Sequence, residues 1–379
     1  MNANRTTTFL FICLLALVGC NPKNTSKISG NVSKGELTLL SSNETPIANR
    51  ITIHPPIKVQ NLSLFMLSAE PEIKGEAYTI LSTAMESKTV IVNETGSVNE
   101  LSIDNNGPNY IFIHSGDIVK GGKQDRTIAY DVIVPPYTKN QALASFCVEE
   151  GRWQQRENET VSSFGSNTKM VSSRDLKLAA KYEKDQGKVW NKVAEQKRYL
   201  NDKLSKKNGH VVEVANSVSN TSLQLTLESK ALEKEKKAFH SVLSEAIHTP
   251  NAVGYAYAIN GEIHGVERYN NNALFTALWE KLLESIIVEA IGKIGEEVKS
   301  DPTSTDILAY MEMTKKTSEQ SVKKINKATS FKTIAHEKKG NLLFVTEDMN
   351  QKKWIHRSYM RTDIIPVTKK ENTLYGNPR

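Results

Sequence analysis

Apolar and polar residues alternate with a period of two along much of the first half of the chain, a spacing that predicts antiparallel strands joined by short turns. The densest stretch is Tyr110 to Trp153, YIFIHSGDIVKGGKQDRTIAYDVIVPPYTKNQALASFCVEEGRW. It reads as an apolar strand Ile111-Phe112-Ile113, a turn centred on Gly116-Asp117, and a second turn over Gly121-Gly122-Lys123-Gln124-Asp125-Arg126. An alternating strand then runs from Thr127 to Val134 and stops at Pro135-Pro136, and a third carries Cys147 toward Glu149, Arg152 and Trp153. Upstream, the pattern predicts strands at Glu36 to Leu40 and Ile57 to Ala69, a helix at Glu76 to Met85, and strands from Thr89 to Ile103 broken by Gly- and Asn-rich turns.

At Ser172 the period changes. Leu178, Tyr182, Gln186, Val189, Val193 and Leu200 recur at three- and four-residue steps, predicting one long amphipathic helix that starts at Ser173-Arg174-Asp175. Ser205 to Asn220 is polar and reads as a loop, and a helix is predicted from about Thr226 to Ala246. Val253 to Tyr269 holds two alternating segments around Asn260-Gly261, a dipeptide that favours a two-residue hairpin turn. The next helix, capped by Asn271 or Asn272, presents Leu274, Leu278, Leu282, Ile286 and Ile294 on a wide apolar face. A more polar helix is expected from Ser304 to Lys327, then short strands at Phe331 to His336, Asn341 to Thr346 and Trp354 to Tyr359. Strands, helices, a hairpin, helices and strands in that order predict an α+β fold, an antiparallel sheet or sandwich core with packed long helices.

Composition narrows the class. With 379 residues, 39% of them hydrophobic and 24% charged, the chain buries a large core and is no disordered segment. Its first residues, MNANRTTTFLFICLLALVGC, join a polar front with Arg5 to an apolar run from Phe9 to Val18 that is too short for a permanent membrane helix. That is a signal peptide over residues 1–19, and Leu17-Val18-Gly19-Cys20 resembles the lipobox of bacterial lipoproteins. The resemblance implies cleavage before Cys20, acylation of its thiol, and a cell-envelope protein anchored in the membrane through that lipid. Asn21 after the cysteine, as in enteric lipoproteins, points to the outer membrane. Residues 20–34 are polar and read as a flexible tether, 35–300 as the main domain, and 301–379 as a C-terminal helix and strands packed on it.

Loss of Arg5 lowers the formal net charge from +7 to +6, spread along the chain among acids, so no nucleic-acid face is expected. Of the cysteines Cys13, Cys20 and Cys147, only Cys147 keeps a thiol after processing, and it reads as a small apolar residue in a strand. The eight histidines are scattered without HxxxH, and no CxxC, phosphate loop or nucleophile elbow is present, so no metal set, cofactor motif or serine nucleophile is predicted.

What remains is a polar cluster on neighbouring loops: Asp117, Gly121, Gly122, Lys123, Gln124, Asp125, Arg126, Glu149, Glu150, Arg152 and Trp153. One reading is turn chemistry, with Arg126 in a loop-fixing ion pair. The other is a ligand site, with the Gly121-Gly122 amides, Lys123 and Arg126 receiving an anion, Trp153 covering a ring, and Arg126 and Trp153 meeting at one sheet edge.

The run Gly116-Asp117, Gly121 to Arg126, Val134-Pro135-Pro136, Cys147-Val148-Glu149 and Gly151-Arg152-Trp153 resembles the core of the ARPP-1 family. Asp185-Gln186 with Val189-Trp190, and Gly254 to Gly265 leading into Leu274, Trp279, Lys281 and Leu282, extend the resemblance over roughly residues 45 to 295. Asp125 stands where the family pattern usually has Asn. The family's association with ADP-ribosylglycohydrolases and rhodanese- or phosphatase-like proteins implies an anionic or nucleotide-sugar-like small ligand. Three functions follow: a lipid-anchored ligand-binding or scaffold domain, a hydrolase of a phosphate- or ribose-containing substrate with Asp117 or Glu149 as base, or a purely structural envelope protein.

Overall fold

Local rules decide the hairpin and the helix beside it. Asn260 and Gly261 both take positive φ, 52° and 78°, the torsions a two-residue turn needs to match strand twist. Ten residues past that turn, Asn271 Oδ1 accepts from the Leu274 amide at 2.6 Å and caps the helix. The computed structural model describes residues 50–75, 77–151, 163–208, 223, 227, 229–313, 319–336 and 340–362. The expected signal peptide and tether, Cys20, the strand expected at Glu36 to Leu40, Arg152 and Trp153 lie outside these residues.

In chain order the strands are β1 (Thr52–Ile53), β2 (Ile57–Val59), β3 (Leu62–Ser68), β4 (Thr79–Ile80), β5 (Val90–Glu94), β6 (Glu100–Asn105), β7 (Ile111–Ile113), β8 (Asp117–Gly121) and β9 (Arg126–Ile128). They continue with β10 (Val132–Val134), β11 (Gln141–Cys147), β12 (Phe164–Val171), β13 (Ala252–Ile259), β14 (Glu262–Tyr269), β15 (Glu319–Lys324), β16 (Thr329–Ala335), β17 (Asn341–Asp348) and β18 (Lys353–Arg361). The helices are α1 (Leu81–Glu86), α2 (Arg174–Leu178), which runs into a π-helical turn at Ala179–Glu183, α3 (Gln186–Asn208), α4 (Lys230–Leu243), α5 (Asn272–Gly292) and α6 (Ser304–Met313). The fold is α+β. Of the helices, α3 and α5 reach 23 and 21 residues, and the others are short.

Three sheets result. The largest runs β1-β3-β13-β14-β18-β17-β16-β15 with β2 on β3, a second runs β10-β7-β4, and a third runs β12-β8-β9-β11-β6-β5. All described pairings are antiparallel except β4 on β7. Helix α5 packs against β12 and β13, burying Leu274, Leu278, Leu282 and Ile286, and thereby lies between the largest and third sheets.

Several sequence expectations change, among them the helix expected from Glu76 to Met85, which begins only at Leu81, after strand β4. The strand expected from Ile57 to Ala69 is two strands, because Gln60 takes φ 52° and turns the chain. The strand expected from Thr127 to Val134 breaks at Ala129–Asp131, and its halves join different sheets, β9 pairing with β11 and β10 with β7. The long helix expected from Ser173 is interrupted by the π-helical turn, which ends at Lys184 with φ 57°. The helix expected to reach Lys327 stops at Met313, and Glu319–Lys324 instead forms edge strand β15 on β16.

Candidate functional site

The loop cluster singled out in the sequence folds inward. Arg126, 1% exposed, donates from Nη1 to the Val98 carbonyl at 2.9 Å and to Cys147 Sγ, while its Nη2 lies 3.7 Å from Glu94 Oε2. Its Nε finds no hydrogen-bond acceptor among the described residues. Gln124 Nε2 donates to the Glu149 carbonyl at 2.8 Å, and the Gly121 amide donates to Asp125 Oδ1 at 3.1 Å. Gly122 is packed so closely that a Cβ would lie 2.4 Å from the Phe164 ring. Lys123 is half-buried. Burial pushes the Cys147 thiol up to about 11 against the pull of Arg126, so at neutral pH it is no nucleophile. The amides and guanidinium expected to face an anion are therefore turned to the protein, and Asp117 alone of this set enters the centre described next.

That centre gathers where the broken strand, the π-helical turn and the largest sheet meet. His114 follows β7, Asp131 sits in the break before β10, Lys177 is on α2 and Lys181 in the π-helical turn; Glu267 and Tyr269 come from β14, Lys281 from α5, Thr346 from β17 and His356 from β18. All are buried. His356 Nδ1 is 2.7 Å from Asp131 Oδ2 and its Nε2 is 2.9 Å from Glu267 Oε2. Both contacts require a proton on the ring, so with both carboxylates ionised it is an imidazolium. Burial alone would lower its pKa, but Asp131 and Glu267 outweigh that and raise it.

The carboxylates show the reverse balance. Burial pushes Asp131 and Glu267 up, and the cations beside them, His356 for Asp131 and Lys177 with His356 for Glu267, bring both well below the usual carboxylate range. Asp131 also accepts from the Ser115 amide at 2.7 Å and the Thr346 hydroxyl at 2.5 Å. His114 lies 2.6 Å from the Ser115 carbonyl through Nδ1 and 2.8 Å from the Tyr269 hydroxyl through Nε2. A carbonyl only accepts, so Nδ1 carries the proton and Nε2 accepts from Tyr269. Burial, then the charge of Lys177, hold this imidazole well below its ordinary pKa and so neutral. The Tyr269 ring stacks on His356 at 4.4 Å and 8°.

The three lysines differ. Lys281 pairs with Asp117, whose other oxygen accepts from the His114 amide at 2.9 Å. Lys177 lies 3.5 Å from Glu267 Oε1, and its stem runs over Gly116, where a Cβ would lie 2.9 Å from the lysine Cε and φ is +93°. Only glycine meets both demands. Lys181 sits 4.2 Å over the Phe344 ring, and among the described residues no carboxylate lies within ion-pair distance of its amine. Burial lowers its pKa to about 8.

Two surface cavities lie apart from this centre. One, of about 430 Å³, is lined by Met85, Glu86, Lys88 and Phe164 among others; the other, of about 360 Å³, lies along α3 at Trp190, Lys197 and Arg198, beside Glu150. The concentration of ionised groups, not cavity size, distinguishes the centre, because buried charge is costly and its clustering marks functional sites. Sequence reasoning missed all of it except Asp117. The available signals were Asp131 inside an otherwise apolar run and lysines at positions 177 and 181, one helical turn apart beside an apolar stripe.

A family model described as the ARG and Rhodanese-Phosphatase-superfamily-associated Protein domain, ARPP-1, matches residues 50–360. The match reaches well beyond residue 295 and takes in β15 to β18, so it contains every residue of the centre. No curated protein and no solved structure matches the chain.

Proposed function

The chain belongs to the ARPP-1 family, and from the charge balance of its buried centre we propose that it is a ligand-binding domain whose ligand is a small anion-bearing molecule. The observation that carries this is Lys181. Asp117, Asp131 and Glu267 are matched by Lys281, His356 and Lys177, which among the described residues of the centre leaves Lys181 as one cation in excess. A buried ammonium with no carboxylate in ion-pair contact, answered only at longer range by Glu267 and Asp131, is a burden on the fold that a negative partner relieves. It sits, moreover, in a π-helical turn, a geometry frequent at functional sites. A phosphate- or nucleotide-sugar-like group supplies that partner.

Hydrolysis of a phosphate- or ribose-containing ligand is the second reading, supported by His114. Burial and Lys177 keep this imidazole neutral, so its Nε2 lone pair, which here accepts from Tyr269, would serve as a base once that hydroxyl moves aside. In either case the lipobox-like Leu17-Val18-Gly19-Cys20 supports, as part of this reading, a lipid anchor at the bacterial envelope. Cys20→Ser then leaves an uncleaved, unacylated precursor; lipid labelling of that variant overturns the anchor.

The test of binding is a thermal-shift screen of the full chain in mild detergent with inorganic phosphate, pyrophosphate, nucleotide sugars and cell-wall fragments. At least one raises the melting temperature of the wild type and leaves Lys181→Met unmoved. No shift with any of them, or an equal shift in the variant, removes the reading. Product formation that stops in His114→Gln selects the hydrolase over the binding domain.

A further inference from the structure

We propose that His114, Asp131 and His356 also form a binding site for one divalent transition-metal ion, zinc being the ion their donors suit best. One ligand atom from each of the three lies within 4.8 Å of the others. Four-coordinate zinc with bonds of about 2.1 Å spaces its ligands about 3.4 Å apart, so the set closes on an ion by small movements of side chains. His356 Nδ1 and Asp131 Oδ2 are already 2.7 Å apart.

The surroundings are those a metal site requires. Metal-bound imidazoles almost always give their second nitrogen to a carboxylate, a carbonyl or water, which fixes the ring. Here His356 Nε2 faces Glu267 at 2.9 Å, and His114 is held on one nitrogen by the Ser115 carbonyl and on the other by the Tyr269 hydroxyl. Whichever His114 nitrogen turns to the ion, the other keeps a partner. Asp131 Oδ1 is held by the Ser115 amide at 2.7 Å, and Oδ2, steadied by the Thr346 hydroxyl at 2.5 Å, lies on the side of His356. The main chain at Ser115 thus braces two of the three ligands at once.

Two imidazoles and one carboxylate select a borderline ion such as zinc, and exclude calcium and magnesium, which take oxygen ligands. The ion enters as the proton shared by His356 Nδ1 and Asp131 Oδ2 leaves to solvent. That exchange adds one positive charge beside Lys177 and Lys181, so the metal and an anionic ligand reinforce each other. The metal site nevertheless rests on residues other than Lys181 and stands or falls without that ligand.

The experiment is a titration of the full chain, purified without a histidine tag and stripped with chelator, using cobalt(II) and then zinc. Cobalt gives a visible d–d band that saturates at one ion per chain and disappears on adding one equivalent of zinc. His356→Gln and Asp131→Asn each weaken cobalt binding at least tenfold, while Lys181→Met retains the band. Because loss of a buried ligand side chain can prevent folding, the wild type is also melted with and without zinc, and zinc raises its melting temperature. No cobalt band together with no zinc shift in the wild type overturns the site, as does unchanged binding in a folded His114→Gln, His356→Gln double variant. A band lost in Lys181→Met but kept in that double variant places the metal elsewhere and equally overturns it.

Discussion

The Arg126 cluster and the His114–Asp131–His356 centre are both buried ionic clusters within a few strands of one another, and they are built on opposite terms. Around Arg126 a guanidinium faces Glu94, the Val98 carbonyl and the Cys147 sulfur, all within the third sheet or its turns. The charge meets its counter-charge within one sheet, although Nε has no acceptor among the described residues. The other centre draws on both smaller sheets, the largest sheet and two helices, and ends with Lys181 over a phenylalanine ring instead of a carboxylate. The first arrangement ties one sheet together; the second assembles groups among which, of the described residues, Lys181 has no carboxylate in ion-pair contact. A buried charge is thus a pointer to function only when its own surroundings fail to account for it.

The largest expected effect breaks the first region. Arg126→Ala strands Glu94 in the interior, and removing one partner of a buried pair costs about 3–5 kcal/mol, read by chemical denaturation. Ligand-induced stabilisation at the centre should survive in whatever fraction folds; its loss would mean that the two regions are one site. Leu282→Ala, at a position that is 0% exposed, should cost about 2–5 kcal/mol. It loosens the helix that carries Lys281, so it should lower affinity at the centre as well, measured by titration calorimetry. Smaller again, Thr346→Val removes the hydroxyl that Asp131 accepts at 2.5 Å, a charge-assisted bond worth about 1.5–3 kcal/mol. A loss below about 0.5 kcal/mol, the level of surface changes, would mean that the carboxylate of Asp131 does not depend on its hydrogen bonds.

The contrast also explains what was legible in the sequence. The Asn260-Gly261 turn, the Asn271 cap and the α5 apolar face were readable because each is decided within one or two turns of chain. The π-helical turn was not, since Leu178, Tyr182 and Gln186 keep a helical spacing through it. Strand β15, EQSVKK, has one apolar residue and so no alternation to detect. The Arg126 loop drew attention because its Gly-Gly-Lys-Gln-Asp-Arg run is contiguous. His114 and His356 looked scattered because metal and catalytic spacing rules count neighbours, whereas strand pairing brings His356 to Asp131 across 225 residues. The break at Ala129–Asp131, invisible in an alternating run, is what delivers Asp131 to that meeting point.

The central claim is that Lys181 serves a ligand and not the fold, and unfolding of Lys181→Met tests it most directly. Its amine titrates near 8 instead of 10.5, so carrying its charge inside costs on the order of 3 kcal/mol at neutral pH. The contact with Phe344 returns about 2 kcal/mol when desolvated. The variant should therefore be more stable than the wild type by about 1 kcal/mol at pH 7 while losing the anion-induced shift. Between pH 8 and 10.5 the unfolded chain binds the Lys181 proton and the native chain does not, so wild-type stability rises with pH relative to the variant and the gap closes. A variant less stable than the wild type at pH 7, with a gap that does not change across that window, would make Lys181 a structural residue and contradict the account.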